Sequence, residues 1–156
     1  MLKALQIVNQ KRFNYKLITN KEESSFKKID QIDNNQNTDG MNITFYDSDK
    51  NLYKNFKQNH SLTFEDYNGK LFIVEDSIII QPWVLEKDKS NFLGYDVKKA
   101  KYENNGVLYE AWYAPKLSYK NGPDEFSGLP GLILKLEITN LNSDPLEKTF
   151  FYATKI

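Results

Sequence analysis

The chain holds few groups capable of covalent chemistry, and their spacing narrows the choice further. His60 is the only histidine in 156 residues, and there is no cysteine. A histidine-based triad or metal site would therefore have to draw every other member from carboxylates, hydroxyls or amides. In its setting, Asn59-His60-Ser61-Leu62, His60 reads as a surface residue. No Gly-x-Ser-x-Gly elbow, phosphate loop or dinucleotide glycine pattern occurs. Acids come in adjacent pairs at Glu22-Glu23, Glu65-Asp66 and Glu75-Asp76. Neighbours on a strand point to opposite faces, so no pair converges on one bond by itself. Acid–base chemistry would need carboxylates from facing strands, such as Glu65 with Glu75 across the second hairpin, and a hydrolase would need some of Glu65, Glu75, Asp96 and Glu110 to converge in a cleft. The plainer reading is a set of solvated strand-edge charges. No catalytic residue, metal site or cofactor is expected.

Charge narrows the partners. Twenty-one basic residues balance 21 acidic ones, and Arg12 is the only arginine. Nucleic-acid binders carry a basic excess and read base edges with arginine, so that partner is not expected. The apolar run at Ile78–Ile80, like every other in the chain, is far too short to cross a membrane as a helix. The N-terminus, MLKALQIVNQKRF, has no continuous apolar core and no small-residue cleavage site, so it does not read as a signal peptide. The sequons at Asn42 and Asn59 would matter only on a eukaryotic secretory path.

Any site must be positioned by strands. Segments rich in aromatic and β-branched residues, or alternating apolar with polar, recur at 13–19, 42–47, 51–56, 61–67, 70–76, 83–87, 95–103, 107–114, 132–138 and 149–156. Leu2, Leu5 and Val8 allow one short helix within residues 1–12, and Asn34–Gly40 is too polar to be more than a loop. Asn68-Gly69 and Asn105-Gly106 predict two-residue type I′ hairpins, and Asp39-Gly40 is a third candidate turn. A loop at Asn105-Gly106 sets Tyr102 against Tyr109, Lys101 against Glu110 and Ala100 against Ala111; one at Asn68-Gly69 sets Phe64 against Ile73. The expectation is a single domain over residues 1–156. Its fold is mainly β, a single antiparallel curved sheet forming a half-barrel or barrel, with a sandwich as the alternative way to cover its faces.

The most distinctive stretch is VLYEAWYAP followed by GPDEFSGLPGLILKLEI. Tyr109, Ala111 and Tyr113 share one strand face, with Leu108, Glu110 and Trp112 on the other. Pro130 and Gly131 suit positions i+1 and i+2 of a type II turn, so Gly128, Pro130 and Gly131 are read as a structural corner. On that reading Gly131→Val costs about 1–2 kcal/mol through its positive φ. Leu132, Leu134, Leu136 and Ile138 would then form one apolar face. A functional alternative has the Leu129 tip contact a ligand or partner.

These residues carry a resemblance. Gly128-Leu129-Pro130-Gly131-Leu132-Ile133 spells the motif of the GLPGLI family of Bacteroidetes, and Ala111-Trp112-Tyr113, Gly122-Pro123 and Gly94-Tyr95 precede it as in that family. Trp83, Asn51–Phe56 and the closing Phe150–Ile156 also match, so the resemblance covers nearly the whole chain. Val97 stands where many relatives carry cysteine, which removes any thiol role here. The resemblance implies an extracytoplasmic protein, periplasmic or secreted, with Met1 a trimmed or late start that lacks a signal peptide and a first strand. It implies no reaction. Three readings remain open. The first is a non-catalytic envelope protein binding an apolar small molecule, a peptide or a partner protein, with Tyr109, Trp112, Tyr113, Phe126 and Leu129 at the lining or lip. The second is an interaction module pairing through a sheet edge, and the third is a carboxylate-based hydrolase.

Overall fold

A computed structural model describes residues 13–29 and 51–156. The helix expected within residues 1–12, the strand at 42–47, the polar loop and the Asp39-Gly40 turn all lie outside the described residues. Within them there are ten strands and no helix. Five form a first sheet in chain order: β1 Asn14–Thr19, β2 Glu23–Ile29, β3 Asn51–Asn55, β4 His60–Tyr67 and β5 Lys70–Asp76. Five form a second: β6 Val84–Phe92, β7 Tyr95–Asn104, β8 Val107–Ala114, β9 Leu132–Asn140 and β10 Glu147–Tyr152. Every described pairing is antiparallel and joins chain neighbours.

The fold is all-β, but the expected single curved sheet is corrected to two sheets, and no closed barrel forms among the described strands. The break falls in the connector Ser77–Trp83. Pro82 has no N–H to give to a ladder, and the Trp83 N–H turns back onto the Gln81 carbonyl at 2.9 Å. The chain leaves the first sheet there and starts the second. Burial is completed by contact between sheets instead of closure of one. Tyr15 stacks on Phe26 at 4.8 Å, and both rings approach Phe151 of β10 at 6.3 and 6.5 Å.

Both Asn-Gly hairpins form as local chemistry dictates, with φ of 54° and 76° at Asn68-Gly69 and 50° and 74° at Asn105-Gly106. The expected partners face one another: Phe64 with Ile73, Tyr102 with Tyr109, Lys101 with Glu110, and Ala100 with Ala111. The rings of Tyr102 and Tyr109 stack at 4.4 Å, 5° from parallel. Two turns had no such signature. Asn20 closes β1–β2 by accepting the Glu22 and Glu23 N–H groups on its side-chain oxygen at 2.7 and 2.8 Å, and Leu93-Gly94 closes β6–β7 with φ of 51° and 79°.

The apolar face expected along β9 is also corrected. The register shifts between Trp112 and Tyr113, so β9 carries an extra residue there. Leu136 and Ile138 stay with Ala111, Tyr113 and Ile133 on the face toward the first sheet, whereas Leu134 and Leu132 pack with Val97 and Trp112 on the opposite face. One bulge thus lets a single leucine-rich strand feed two apolar clusters.

Candidate functional site

The segment leading into the Gly128–Gly131 corner is anchored from both sheets. Ser127 gives its N–H to the Gln81 Oε1 at 2.9 Å, and its carbonyl accepts from Trp83 Nε1 at 2.9 Å. Gln81 Nε2 reaches the Glu125 carbonyl at 3.3 Å. From the first sheet, the buried Lys54 ammonium donates to Asn121 Oδ1 at 3.0 Å and to the Phe126 carbonyl at 3.4 Å, while Asn121 Nδ2 donates to Thr19 Oγ at 3.2 Å. These bonds satisfy backbone groups of a buried stretch whose ladder pairing is one isolated bridge, Asn121–Ser127; the buried Ser127 hydroxyl finds no partner among the described residues. The same bonds tie the stretch to both sheets.

Within that frame the corner is not a type II turn. Gly131 donates to the Leu129 carbonyl at 2.8 Å, a three-residue turn around Pro130. Its φ of 159° is nearly extended, far from the roughly +80° that position i+2 of a type II turn requires. Glycine is needed both for this positive φ and for room. A Cβ there would collide with the Ala114 carbonyl oxygen and lie 2.7 Å from its carbon.

Four of the five residues expected at a lip or lining sit together in one core. Tyr113, Phe126 and Leu129 are buried with Ile133 and Leu136, and Tyr109 packs against them, its ring 5.7 Å from that of Phe126. Leu129 is 1% exposed, so its tip plugs the interior. Trp112 lies apart on the far face of the second sheet, half-buried beside Val97 and Leu134, with the Lys99 ammonium 5.9 Å from its ring centre. That face carries a charge ladder: Lys101–Glu86, Lys99–Glu110 and Lys148–Glu137, each 2.6 Å. Glu110 stands directly opposite Glu137, and the lysines offset this like-charge contact. The Lys101 hydrogen bond holds Glu86 below the usual carboxylate range, and Glu110 and Glu137 in turn raise Lys99 and Lys148.

The carboxylates that a hydrolase would need do not meet. Glu65 stands opposite Phe72 and Glu75 opposite Leu62, which puts them on opposite faces of the hairpin. Glu75 instead bonds His60 Nε2 at 2.8 Å, Glu110 belongs to the ladder, and Asp96 is exposed near Lys116. Glu23 accepts from Tyr53 Oη at 2.7 Å, which raises that phenol. No group of three or more metal-ligating side chains occurs among the described residues.

Burial pushes the Tyr102 and Tyr113 phenols up, with the charges of Tyr109 and Glu125 adding to the rise at Tyr102. Their folded pKa values lie above the unfolded one, so their share of stability is whole below about pH 10 and is lost as pH rises toward the folded values. Thermal melts across that alkaline range should fall steeply for the wild type. They should fall less for Tyr102→Phe/Tyr113→Phe; parallel curves would mean these phenols titrate freely.

The accessible apolar surface lies elsewhere. Every residue of β5 is exposed, and Leu71, Phe72, Ile73 and Val74 are 68%, 49%, 59% and 49% exposed. β5 is the outer strand of the first sheet, and no described strand pairs with its free edge. Beside it, a depression of about 390 Å³ is lined among others by Ser25, Lys27, Tyr53, Phe64 and Leu71. The sequence carried one sign of this surface. Four consecutive apolar residues on a hairpin strand must show greasy side chains on both faces, where a half-buried strand alternates.

With this geometry in view, residues 2–135 match the family described as "Protein of unknown function (Porph_ging)". The chain belongs to that family. No curated protein matches this Porph_ging chain. Among solved structures it is similar to PNGF-II in its P21 space group, with a TM-score of 0.62 at 22% identity over 95% of this chain and 26% of that one. PNGF-II in its C2 space group gives a TM-score of 0.61 at 24% identity over 93% and 26% of the two chains. Such identities show a shared fold alone. The Porph_ging chain spans 26% of the length of either PNGF-II chain. Among the described residues no helix is long and apolar enough to cross a membrane.

Proposed function

We propose that this Porph_ging protein is a non-catalytic binding module of the cell envelope, periplasmic or secreted, which holds a partner along the free edge of β5. The observation that carries the reading is a seven-residue edge strand exposed along its whole length, with four apolar side chains in a row. Such an edge offers unpaired N–H and C=O groups to an added strand, and monomeric proteins normally cover or charge it. The GLPGLI-type hexapeptide Gly128–Ile133 supports the envelope placement, and the buried corner it forms gives the module rigidity. A second reading, an apolar ligand or peptide seated on the sheet face, is supported by the depression beside Tyr53 and Phe64.

Native mass spectrometry of the protein taken gently from its own cell envelope tests both. An added polypeptide mass that disappears in Ile73→Pro is the expected result. A bound small-molecule mass unaffected by Ile73→Pro would favour the sheet-face reading. A bare mass, with no cross-linked partner in intact cells, would defeat the binding role.

A further inference from the structure

We propose that the β5 edge pairs with β5 of a second copy, antiparallel about Ile73, joining two first sheets into one continuous sheet. This rests on the edge-binding reading and names its partner.

The hairpin turn fixes which groups β5 presents. A two-residue type I′ loop closes on a hydrogen-bonded pair, here Tyr67 with Lys70. Alternation then turns the N–H and C=O of Lys70, Phe72, Val74 and Asp76 toward β4, and those of Leu71, Ile73 and Glu75 outward. A two-fold axis at Ile73 places Ile73 against Ile73 and Leu71 against Glu75 of the second copy, all outward-facing residues. They would exchange roughly six interchain hydrogen bonds with no backbone group left over.

The side chains agree with the same axis. It sets Phe72 against Val74 of the second copy, an aromatic against a β-branched residue in the closer, non-hydrogen-bonded pair. It also sets Lys70 against Asp76 at each end, so the strand Lys70-Leu71-Phe72-Ile73-Val74-Glu75-Asp76 meets its own reverse with opposite charges at both ends and apolar residues at the centre. Moving the axis to Phe72 sets Lys70 against Val74 and leaves Glu75 and Asp76 beyond the strand. Moving it to Val74 sets Glu75 opposite Ile73 and leaves Lys70 unpaired. Only the Ile73 axis pairs all seven residues.

Sedimentation equilibrium on the full chain, over a hundredfold concentration range, tests the proposal. The wild type should be a concentration-dependent dimer. Lys70→Asp sets two like-charge pairs in the interface and should weaken the dimer roughly tenfold or more, as should Asp76→Lys. The double variant Lys70→Asp/Asp76→Lys should regain dimerisation, which no general loss of stability would do. Ile73→Pro removes an outward N–H that β4 does not use, so it should yield a folded monomer by circular dichroism. A dimer indifferent to all four variants would overturn the β5 axis. A wild-type monomer would overturn it too, and amide exchange by NMR then separates the layers. Fast exchange at Leu71, Ile73 and Glu75 would leave the free edge standing without a second copy, whereas protection independent of concentration would show the edge covered within the chain and defeat both readings.

Discussion

Gly131→Ala lowers the urea midpoint of unfolding by the equivalent of about 3 kcal/mol, the upper end of what overpacking costs. The added methyl would overlap the Ala114 carbonyl oxygen and stand 2.7 Å from the Ala114 carbon and 2.9 Å from the Pro115 nitrogen. All three are backbone atoms. Ala114 is fully buried at the end of β8, and its carbonyl already accepts from Leu117 N–H at 3.1 Å. That peptide cannot swing aside without breaking the bond. Gly94→Ala is the control: its φ is +79° but its methyl would meet nothing within 4 Å, so only the cost of the left-handed backbone remains and a smaller loss is expected. Equal midpoints for Gly131→Ala and wild type would contradict the close approach. The collision adds to the strain of the positive φ at Gly131, so alanine and valine should both suffer.

Leu129→Ala should cost about 2–5 kcal/mol, the range for emptying a buried leucine site. Leu129 packs in one core with Phe126, Tyr113, Ile133 and Leu136. The segment around it is held by Gln81, Trp83 and Lys54, so the walls cannot easily collapse into the void. Equilibrium denaturation reads the loss. The variant should keep its β5 association wherever it remains folded, because β5 lies on the other sheet. Near-wild-type stability together with lost binding would instead make the corner a site. Trp112→Ala, on the half-buried outer face of the second sheet, should cost less than Leu129→Ala.

The two outcomes concern how the six-residue motif works. Its residues contribute a plug between layers: Leu129 and Ile133 enter the core, Pro130 is exposed at the bend, and Gly131 lets β9 pass close to the end of β8. Tyr109, Tyr113 and Phe126 are supports of that plug. β5 instead exposes four consecutive apolar side chains, where the binding proposal rests.

Local chemistry made much of this legible in the sequence. Asn-Gly at positions 68–69 and 105–106 needs no tertiary help to form a type I′ turn, and its two-residue length sets the register of both flanking strands. The limits of β5 and β8 followed residue for residue, as did the Tyr102–Tyr109 and Phe64–Ile73 pairs. β2 was not legible, because Glu23-Ser24-Ser25-Phe26-Lys27-Lys28-Ile29 has little apolar content; it becomes a strand by lying between β1 and β3, with Phe26 against Tyr15.

Long-range contacts decided the rest. Whether ten strands close into one sheet or split in two depends on what covers their faces, and that is set by residues far apart in sequence, such as Phe26 with Phe151 or Lys54 with Asn121. The bulge that divides the β9 leucines between two clusters arises from packing against β8 at Trp112–Tyr113. The need for glycine at 131 comes from the Ala114 carbonyl, 17 residues earlier in the chain (131 − 114). Sequence determined turns, strand limits and pairing within hairpins, because those energies lie between near neighbours. Tertiary structure alone determined which aromatics are buried and which strands lie at the sheet edges, because burial is a property of the whole assembly of strands.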